Sequence, residues 1–407
     1  MEKKRGLYAA VGTIVLLFAG LVYAWSVIAS PIAAYYPEWS KAQLSLTFTI
    51  CMSFFCFGGL FGGLLSKKVN VKLNMAISGV LFFIGFFLAS RAESLSMLYI
   101  GYGVFAGFAS GFVYNGVMSC VTKWYADKPG FISGVLLMGF GFGSFIIGKV
   151  YQAMTPAGPG IDQWRDTFFI FGIALVVILL IGSVIIKAPG EDYQAPTPAP
   201  KKVDKEAVSE TQGKDFTPGQ MLKRPSFWFY IIWTVTLSAA GLVLISQASG
   251  IVLEINPAAA AGTVATVVGL ISILNGIGRV ICGTLFDKIG RRKTMFIVDF
   301  VFFIAIGLVI FALKSASFPM IIIAFIVSGL AYGGVTPMNS AFTREFYGAK
   351  NYPVNYPIVN MNLLVASFGS TIAGMLYDAT GSFMSAMMLM LAFVVVATVS
   401  SIVIKRP

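Results

Sequence analysis

The stretch GTVATVVGLISILNGIGRVICGTLFDKIGRRK, residues 262–293, combines a membrane-length apolar run with a buried charge. Roughly 25 apolar and small residues from Gly262 to Phe286 are enough to cross the hydrocarbon core of a bilayer as one helix. Arg279 lies in the second half of this run, one helical turn after Asn275 and on the same face. An arginine at that depth costs at least ~2.5–3.5 kcal/mol unless a buried group pairs with it. The run ends at DKIGRRK, a short and strongly basic loop.

The composition indicates an integral membrane protein. Of the 407 residues, 57% are hydrophobic and 11% are charged, whereas a soluble globular protein has about 25% charged residues. A net charge of +12 raises the question of a nucleic-acid partner, but the basic residues lie between apolar runs rather than on one face. We therefore expect membrane lipid around the chain and no nucleic acid.

Twelve apolar runs predict twelve transmembrane helices. The first run, from Leu7 to Ala29, is longer than the ~7–15-residue core of a secretory signal, so we interpret it as an uncleaved helix. The other eleven runs lie at 43–65, 73–90, 96–121, 130–150, 165–187, 225–250, 262–286, 294–313, 319–342, 353–376 and 383–404. The predicted fold class is all-α and integral to the membrane.

A long polar segment divides these helices into two groups of six. Residues 188–224 contain APTPAP and alternating Lys, Asp and Glu, with almost no large apolar residue before Phe216. This composition predicts a disordered linker, because it cannot bury enough apolar surface to fold. The predicted domains are a six-helix half at 1–187, the linker at 188–224 and a second six-helix half at 225–407.

The distribution of lysine and arginine predicts the orientation in the membrane. With the N-terminus inside, the inner segments contain 23 of the 29 basic residues and the outer segments and helix ends contain 5. This bias follows the positive-inside rule. We therefore expect a multi-pass protein of the cytoplasmic membrane with both termini and the linker in the cytoplasm.

Corresponding basic hairpins follow the second helix of each half. The first has the sequence GGLLSKKVNVK at 62–72, and the second has the sequence GTLFDKIGRRK at 283–293. Matching hairpins indicate an internal repeat. Two pseudo-symmetric six-helix repeats are typical of secondary transporters whose halves rock against each other.

The second hairpin resembles the inner-loop signature of the major facilitator superfamily. In that family the aspartate and the basic residues hold neighbouring helices together on the cytoplasmic side, which implies a gating role for Asp287, Arg291 and Arg292. The first hairpin departs from the signature, because Ser66 occupies the place of the acidic residue. The alternative interpretation is that these residues only set the membrane topology.

Three further segments resemble the oxalate/formate antiporter family, which is related to the monocarboxylate transporters. They are VYAWS at 22–26, KWYADKPGFISG at 123–134 and REFYG at 344–348. The resemblance implies a transporter of small organic anions that works by alternating access.

Strongly polar side chains deep in the predicted helices are candidates for substrate binding. A guanidinium fits a carboxylate with two parallel hydrogen bonds, and tyrosine hydroxyls and asparagine amides can complete a site at the midplane between the halves. The predicted substrate-binding residues are Arg279, Asn275, Tyr332, Tyr114, Asn115, Tyr23 and Asn360. The alternative is structural. In that case the neutral groups bond neighbouring helices, and Arg279 pairs with Asp299, although the position of Asp299 near the basic loop favours a part in the gate.

The number of buried cations favours a substrate with one negative charge. Relatives that transport oxalate combine the arginine of helix eight with a lysine in helix eleven, and the resemblance places that lysine at or beside Leu363. Helix eleven here contains no basic residue. A dianion facing one cation would keep an unpaired charge at a cost of several kcal/mol. We therefore expect lactate, pyruvate, formate or an acid of similar size.

The sequence does not decide whether transport is coupled to protons. Animal monocarboxylate transporters resemble this chain around Arg279 but carry an aspartate where Asn275 stands. The chain has no histidine and no acid beside Arg279, so the substrate or a water would have to carry a co-transported proton. Proton-linked transport is our first hypothesis, and exchange of organic anions such as oxalate and formate is the alternative.

Other classes of protein are less compatible with the sequence. There is no histidine, the four cysteines form no CxxC pair, and no nucleophile–base pair is visible in the spans. We expect neither an enzyme nor a cofactor nor a metal site, and we expect one chain to act as a monomer. A membrane sensor that binds a ligand without transporting it is the third hypothesis.

Overall fold

A computed structural model of the chain describes residues 2–65, 68–125, 129–156, 158–190, 193, 215–348 and 351–405. These residues form helices and connecting turns, without strands. The twelve helices that are long and apolar enough to cross a membrane are Arg5–Tyr35, Lys41–Leu65, Val71–Ser90, Leu95–Trp124, Gly134–Met154, Trp164–Ile185, Pro225–Ile255, Ala261–Phe286, Arg291–Ser315, Phe318–Tyr347, Val354–Thr380 and Met384–Val403. We number them span 1 to span 12. The predicted fold class and number of spans are confirmed.

The surface of the bundle is apolar, as lipid contact requires. Val184, Phe300 and Leu64 are 72%, 65% and 61% exposed on three different spans. Helices are the structure expected in this environment, because each satisfies its backbone N–H and C=O groups internally. The predicted ends of several spans lie short of the observed ends. Span 1 continues past Ala29 to Tyr35, with Pro31 inside its last segment.

The twelve spans form two pseudo-symmetric halves of six, which meet along two equivalent helix pairs. Span 2 packs against span 11, and span 5 packs against span 8. The two pairs correspond, because span 2 occupies in the first half the place that span 8 occupies in the second, and span 5 corresponds to span 11. Span 1 also contacts span 7 between the halves. The domain limits at residues 187 and 225 remain a prediction.

Three of the spans are not regular α-helices over their whole length. Span 1 tightens into a 3₁₀ segment at Gly20–Ala24, and span 4 widens into a π-helix at Tyr99–Ala106. Span 11 is interrupted at Met361 and Ser367. Gly20, at the start of the 3₁₀ segment, permits a close approach to span 5, because a Cβ there would lie 2.0 Å from the carbonyl oxygen of Phe140. The apolar pattern alone did not predict these segments.

The end of the predicted linker is ordered, in contrast to the disorder we expected for it. Pro218–Leu222 is a short helix whose first turn has a capping box between Thr217 and Gln220. The backbone N–H of Phe216 donates to the carbonyl of Tyr347 (3.1 Å), and Asn355 donates back to the carbonyl of Phe216 (3.0 Å). This segment therefore belongs structurally to the second half. Residues 191–192 and 194–214 of the predicted linker lie outside the described residues.

Candidate functional site

The two halves are bonded together at one end of the bundle. Because there are twelve spans, both chain ends lie on one side, here called the termini side, and this closure lies on the opposite side. The carboxylate of Asp378 in span 11 accepts hydrogen bonds from the backbone N–H groups of Lys41 (3.1 Å) and Ala42 (2.9 Å), which begin span 2. Deeper in the same helix pair, the hydroxyl of Thr49 donates to the carbonyl of Ser367 (2.7 Å). We call these contacts the opposite-side closure.

A cavity lies between the halves, on the termini side of that closure. The space open to the centre of a water molecule is about 70 Å³. Seven spans contribute to its wall, four from the first half and three from the second. The lining residues are Tyr23, Phe55, Cys56, Gly59, Leu60, Tyr114, Asn115, Phe140, Arg279, Thr336, Tyr356, Pro357, Asn360, Met361 and Leu363. Five of the seven predicted substrate-binding residues are in this set, namely Arg279, Tyr114, Asn115, Tyr23 and Asn360, whereas Asn275 and Tyr332 are not.

Arg279 is the one cation among the described residues that line the cavity, and neutral oxygens hold it. Its side chain is 5% exposed. Nε donates to Oδ1 of Asn275 (3.2 Å), and Nη1 donates to the carbonyl of Leu137 in span 5 (3.2 Å). These bonds orient the guanidinium and use two of its five N–H donors. Among the described residues no carboxylate contacts this guanidinium or lines the cavity. Asn275 therefore lies behind the cavity wall and positions the arginine.

Asp299 does not pair with Arg279. Its carboxylate accepts hydrogen bonds from Nε1 of Trp233 (2.7 Å) and from the hydroxyl of Ser401 (3.0 Å). These partners tie spans 7, 9 and 12 together inside the second half. The structural alternative for Arg279 is therefore wrong for this pair of residues.

Two predicted tyrosines meet beside the arginine. The hydroxyl groups of Tyr23 and Tyr332 lie close to each other, and both lie near Arg279. Tyr23 comes from the 3₁₀ segment of span 1 and lines the cavity, whereas Tyr332 is 2% exposed and lies behind the wall. The ring of Tyr332 occupies the space above Gly241, where a Cβ would lie 2.1 Å from it.

The remaining predicted residues line the cavity while also contacting their neighbours. Asn115 donates to the carbonyl of Gly59 in span 2 (2.5 Å). Oδ1 of Asn360 accepts a hydrogen bond from Asn339 in span 10 (3.1 Å). The ring of Tyr114 packs edge-on against Phe140, with the ring centres 5.4 Å apart. Each of these side chains thus combines a packing role with a face on the cavity.

Several lining residues were not predicted from the sequence. Tyr356 is within reach of both Asn360 and Arg279, and its position four residues before Asn360 puts the two side chains on one helix face. That spacing could have been used to find it. Thr336 and Cys56 carry no comparable signal, because small weakly polar residues are common in helix packing. Leu363 also lines the cavity.

Of the three predicted gating residues, the structure describes the side chains of Arg291 and Arg292. The side chain of Asp287 lies outside the described residues. The guanidinium of Arg291 lies 5.1 Å from the ring centre of Phe346, and its Nη2 donates to the carbonyl of Ile404 (3.4 Å). Arg292 is exposed and lies 6.0 Å from the ring centre of Phe296 on its own helix. Both arginines contact the second half, and their part in a gate remains a prediction.

Comparison with known proteins agrees with this architecture. The sequence matches the profile of the Major Facilitator Superfamily over residues 12–256 and 245–407. The chain is 26% identical to the uncharacterized MFS-type transporter YhjX of Escherichia coli, over 88% of this chain and 84% of that protein. It is 29% identical to the oxalate:formate antiporter of Oxalobacter formigenes, over 67% of this chain and 62% of that protein.

Relatives of lower identity and solved structures are also transporters. The chain is 24% identical to monocarboxylate transporter 12 of Rattus norvegicus, over 76% of this chain and 67% of that protein. Among solved structures, a bacterial homolog of the lysosomal transporter Spinster, inward-facing and occupied, has a TM-score of 0.73 at 14% identity, covering 98% of this chain and 95% of that one. At that identity the likeness concerns the fold. Together with the twelve spans and the cavity between two halves, the matched profile shows that this chain is a transporter of the Major Facilitator Superfamily.

Proposed function

We propose that the protein transports small monocarboxylates across the cytoplasmic membrane by alternating access. In this proposal both termini and the linker are cytoplasmic, one chain is the functional unit, and the 1–187 and 225–407 halves rock around the cavity. The observation that carries the proposal is a single guanidinium, Arg279, which reaches a cavity shared by both halves without a carboxylate partner among the described residues. An anionic substrate supplies the missing partner.

The charge of the cavity supports a substrate with one negative charge. Of the residues that the structure describes, one cation and no acid line it. A monocarboxylate bound in two-pronged fashion neutralises the site, because the guanidinium fork matches the two carboxylate oxygens. A dianion would retain a charge in a low-dielectric environment, and such a charge costs several kcal/mol.

The size of the cavity supports a small acid. One water needs roughly 10–15 Å³ of space measured in this way, and the cavity offers about 70 Å³. That is room for a handful of waters or for one acid of the size of formate, acetate, lactate or pyruvate. The apolar rings of Phe55 and Phe140 and the side chain of Met361 enclose it, which suits the methyl group of such an acid.

Leu363 supports the same choice. It lines the cavity. By the resemblance described above, it also stands at or beside the lysine that gives oxalate-transporting relatives a second buried cation. A leucine there removes the charge that a dicarboxylate would need. Exchange of oxalate and formate remains the second candidate, since the oxalate:formate antiporter of Oxalobacter formigenes is 29% identical over 280 residues.

Proton-linked transport is the form of the proposal that we favour. Asn275 is neutral and already engaged with Arg279, so the acid itself or a bound water carries the proton. Exchange of anions uses the same site without a proton. In the proposal Asp287, Arg291 and Arg292 hold the gate on the cytoplasmic side.

Uptake into sealed proteoliposomes tests the proposal and separates its forms. An imposed pH gradient should accelerate uptake of labelled lactate if transport is proton-linked. Exchange predicts indifference to that gradient together with a requirement for a carboxylate inside the vesicles. Binding of lactate without flux in either condition would instead support the sensor hypothesis and contradict transport.

A further inference from the structure

Four exposed lysines surround a second cavity on the termini side of the first half. Lys68 and Lys72 belong to the hairpin at 62–72, Lys123 lies in the last turn of span 4, and Lys187 follows span 6. The space open to the centre of a water molecule is about 470 Å³. Three separate segments of the chain therefore place positive charge around one concavity. We call it the lysine pocket.

No acid is among the described residues that line the lysine pocket. Its other lining residues are neutral, and within the described part of the chain none of the four ammonium groups makes a hydrogen bond or an ion pair. Four like charges facing one space raise the local positive potential and attract a counter-ion. In contrast, the arginines of the equivalent hairpin in the second half lie against aromatic rings or a backbone carbonyl.

The start of span 3 adds to this potential. Asn70 caps the helix by accepting from the backbone N–H of Leu73 (2.9 Å), and Val71 and Lys72 form its first turn in the wall of the pocket. The N-terminal end of a 20-residue helix carries a partial positive charge. Helix N-termini and lysines both serve in phosphate sites, lysine acting as a point charge with three donors.

The pocket lies at the level where the lipid-facing surface ends. Leu64 on span 2, Leu73 on span 3 and Val184 on span 6 are 61%, 49% and 72% exposed next to the segments that carry the lysines. A phospholipid in this leaflet can lay its acyl chains on these apolar side chains while its headgroup reaches the lysines. Basic pockets at this depth are suited to anionic headgroups.

We propose that Lys68, Lys72, Lys123 and Lys187 form a binding site for a phosphate-bearing anion, supplied by the headgroup of an anionic phospholipid. The site is separate from the cavity at Arg279 and does not depend on the proposed function. It also gives a role to the first basic hairpin, in which Ser66 replaces the acidic residue of the superfamily signature.

The test measures the melting temperature of the full-length protein in neutral detergent with added probes. The probes are phosphatidylglycerol, phosphatidylcholine and inorganic phosphate. The pocket variant combines K68Q, K72Q, K123Q and K187Q. The control variant combines K223Q, K288Q, K293Q and K405Q, which removes the same charge from exposed lysines on the same side but outside the pocket. A third variant replaces the four pocket lysines with arginine.

Phosphatidylglycerol should raise the melting temperature of the wild type and of the control and arginine variants by several degrees, but not that of the pocket variant. Phosphatidylcholine should have little effect on any of them. If inorganic phosphate stabilises the wild type as much as the lipid does, and the pocket variant loses this effect, the site stands and its ligand is a free phosphate. Equal stabilisation of the pocket variant and the wild type by phosphatidylglycerol overturns the proposal, as does no stabilisation of the wild type by either probe. If the pocket variant does not fold, the other two variants decide. Loss of the stabilisation by phosphatidylglycerol in either the control variant or the arginine variant then overturns the proposal.

Discussion

At the scale of single residues, the proposed binding of a carboxylate depends on how Arg279 is held. Its guanidinium is oriented by two neutral oxygens, from Asn275 and Leu137, rather than by an acid. An arginine paired with an internal carboxylate would be a structural element of the fold. An arginine held by neutral acceptors keeps its charge available, and an anion that enters the cavity can use it.

Arg279→Lys should remove most carboxylate binding. An ammonium cannot reproduce the two-pronged contact or bond Asn275 and Leu137 at the same time. Loss of one charge-assisted hydrogen bond of about 1.5–3 kcal/mol corresponds to a tenfold or greater fall in affinity. The measurement is the rise in melting temperature that lactate produces in the purified protein. Arg91→Lys, at an exposed arginine outside the cavity lining, is the matched control and should keep the wild-type response. Unchanged stabilisation of Arg279→Lys by lactate would exclude Arg279 from the site.

Leu363→Lys should change the charge preference of the cavity. A second cation facing Arg279 favours a dianion and disfavours a monoanion, since a monocarboxylate would then leave one cation unpaired. The expected result is that oxalate stabilises the variant more than it stabilises the wild type, while stabilisation by lactate falls. Leu363→Met changes the side chain without adding charge and should retain the wild-type order. If oxalate has the same effect on Leu363→Lys and on wild type, position 363 does not face the substrate.

At the scale of helices, glycine packing determines where Arg279 lies. Spans 8 and 10 approach so closely that a Cβ on Gly333 would lie 2.3 Å from the carbonyl oxygen of Asn275 and 3.0 Å from the backbone nitrogen of Arg279. The predicted binding residues of span 8 therefore pack against a residue that does not line the cavity. Small residues at helix interfaces commonly permit such contacts in membranes.

Gly333→Ala should destabilise the protein and weaken substrate binding together. The added methyl group meets backbone atoms that cannot rotate away, so the two helices must separate, at a cost of about 1–3 kcal/mol. The check is the melting temperature and the lactate response of the purified variant. Gly307→Ala is the control, because a Cβ added to this glycine of span 9 would have no other atom within 4 Å. Equal behaviour of the two variants would mean that the span 8–span 10 contact does not position the site.

Asp378→Asn should weaken the opposite-side closure. The carboxylate caps the first turn of span 2 from the other half, where it also meets the positive end of the helix dipole. Asp378 is exposed, so solvent screening limits its contribution to about 0.5–1 kcal/mol, which is a two- to fivefold change in population. Spin labels at E38C and A379C should show more of the longer distance in the variant. Asp162→Asn, at another exposed acid on that side, should not change the distribution. An unchanged distribution in Asp378→Asn would remove this carboxylate from the closure.

At the scale of the whole molecule, the sequence predicted the features that follow from the cost of burying polar groups. Twelve apolar runs predicted twelve spans, and the free-energy cost of a buried arginine singled out Arg279. The 3₁₀ segment near Tyr23 begins at Gly20, which is in close contact with span 5, far away in the chain. No local pattern records such a contact. The docking of Phe216 on Tyr347 was missed for the same reason, although the capping residues Thr217 and Gln220 were visible in the sequence.

In the proposed mechanism, a single guanidinium that has no carboxylate partner among the described residues selects a monocarboxylate. The most direct measurement is competition against the uptake of labelled lactate into sealed proteoliposomes at fixed pH. Formate, acetate and pyruvate should each reduce uptake, while oxalate at the same concentration should leave it nearly unchanged. Competition by oxalate as strong as that by the monocarboxylates would contradict the account.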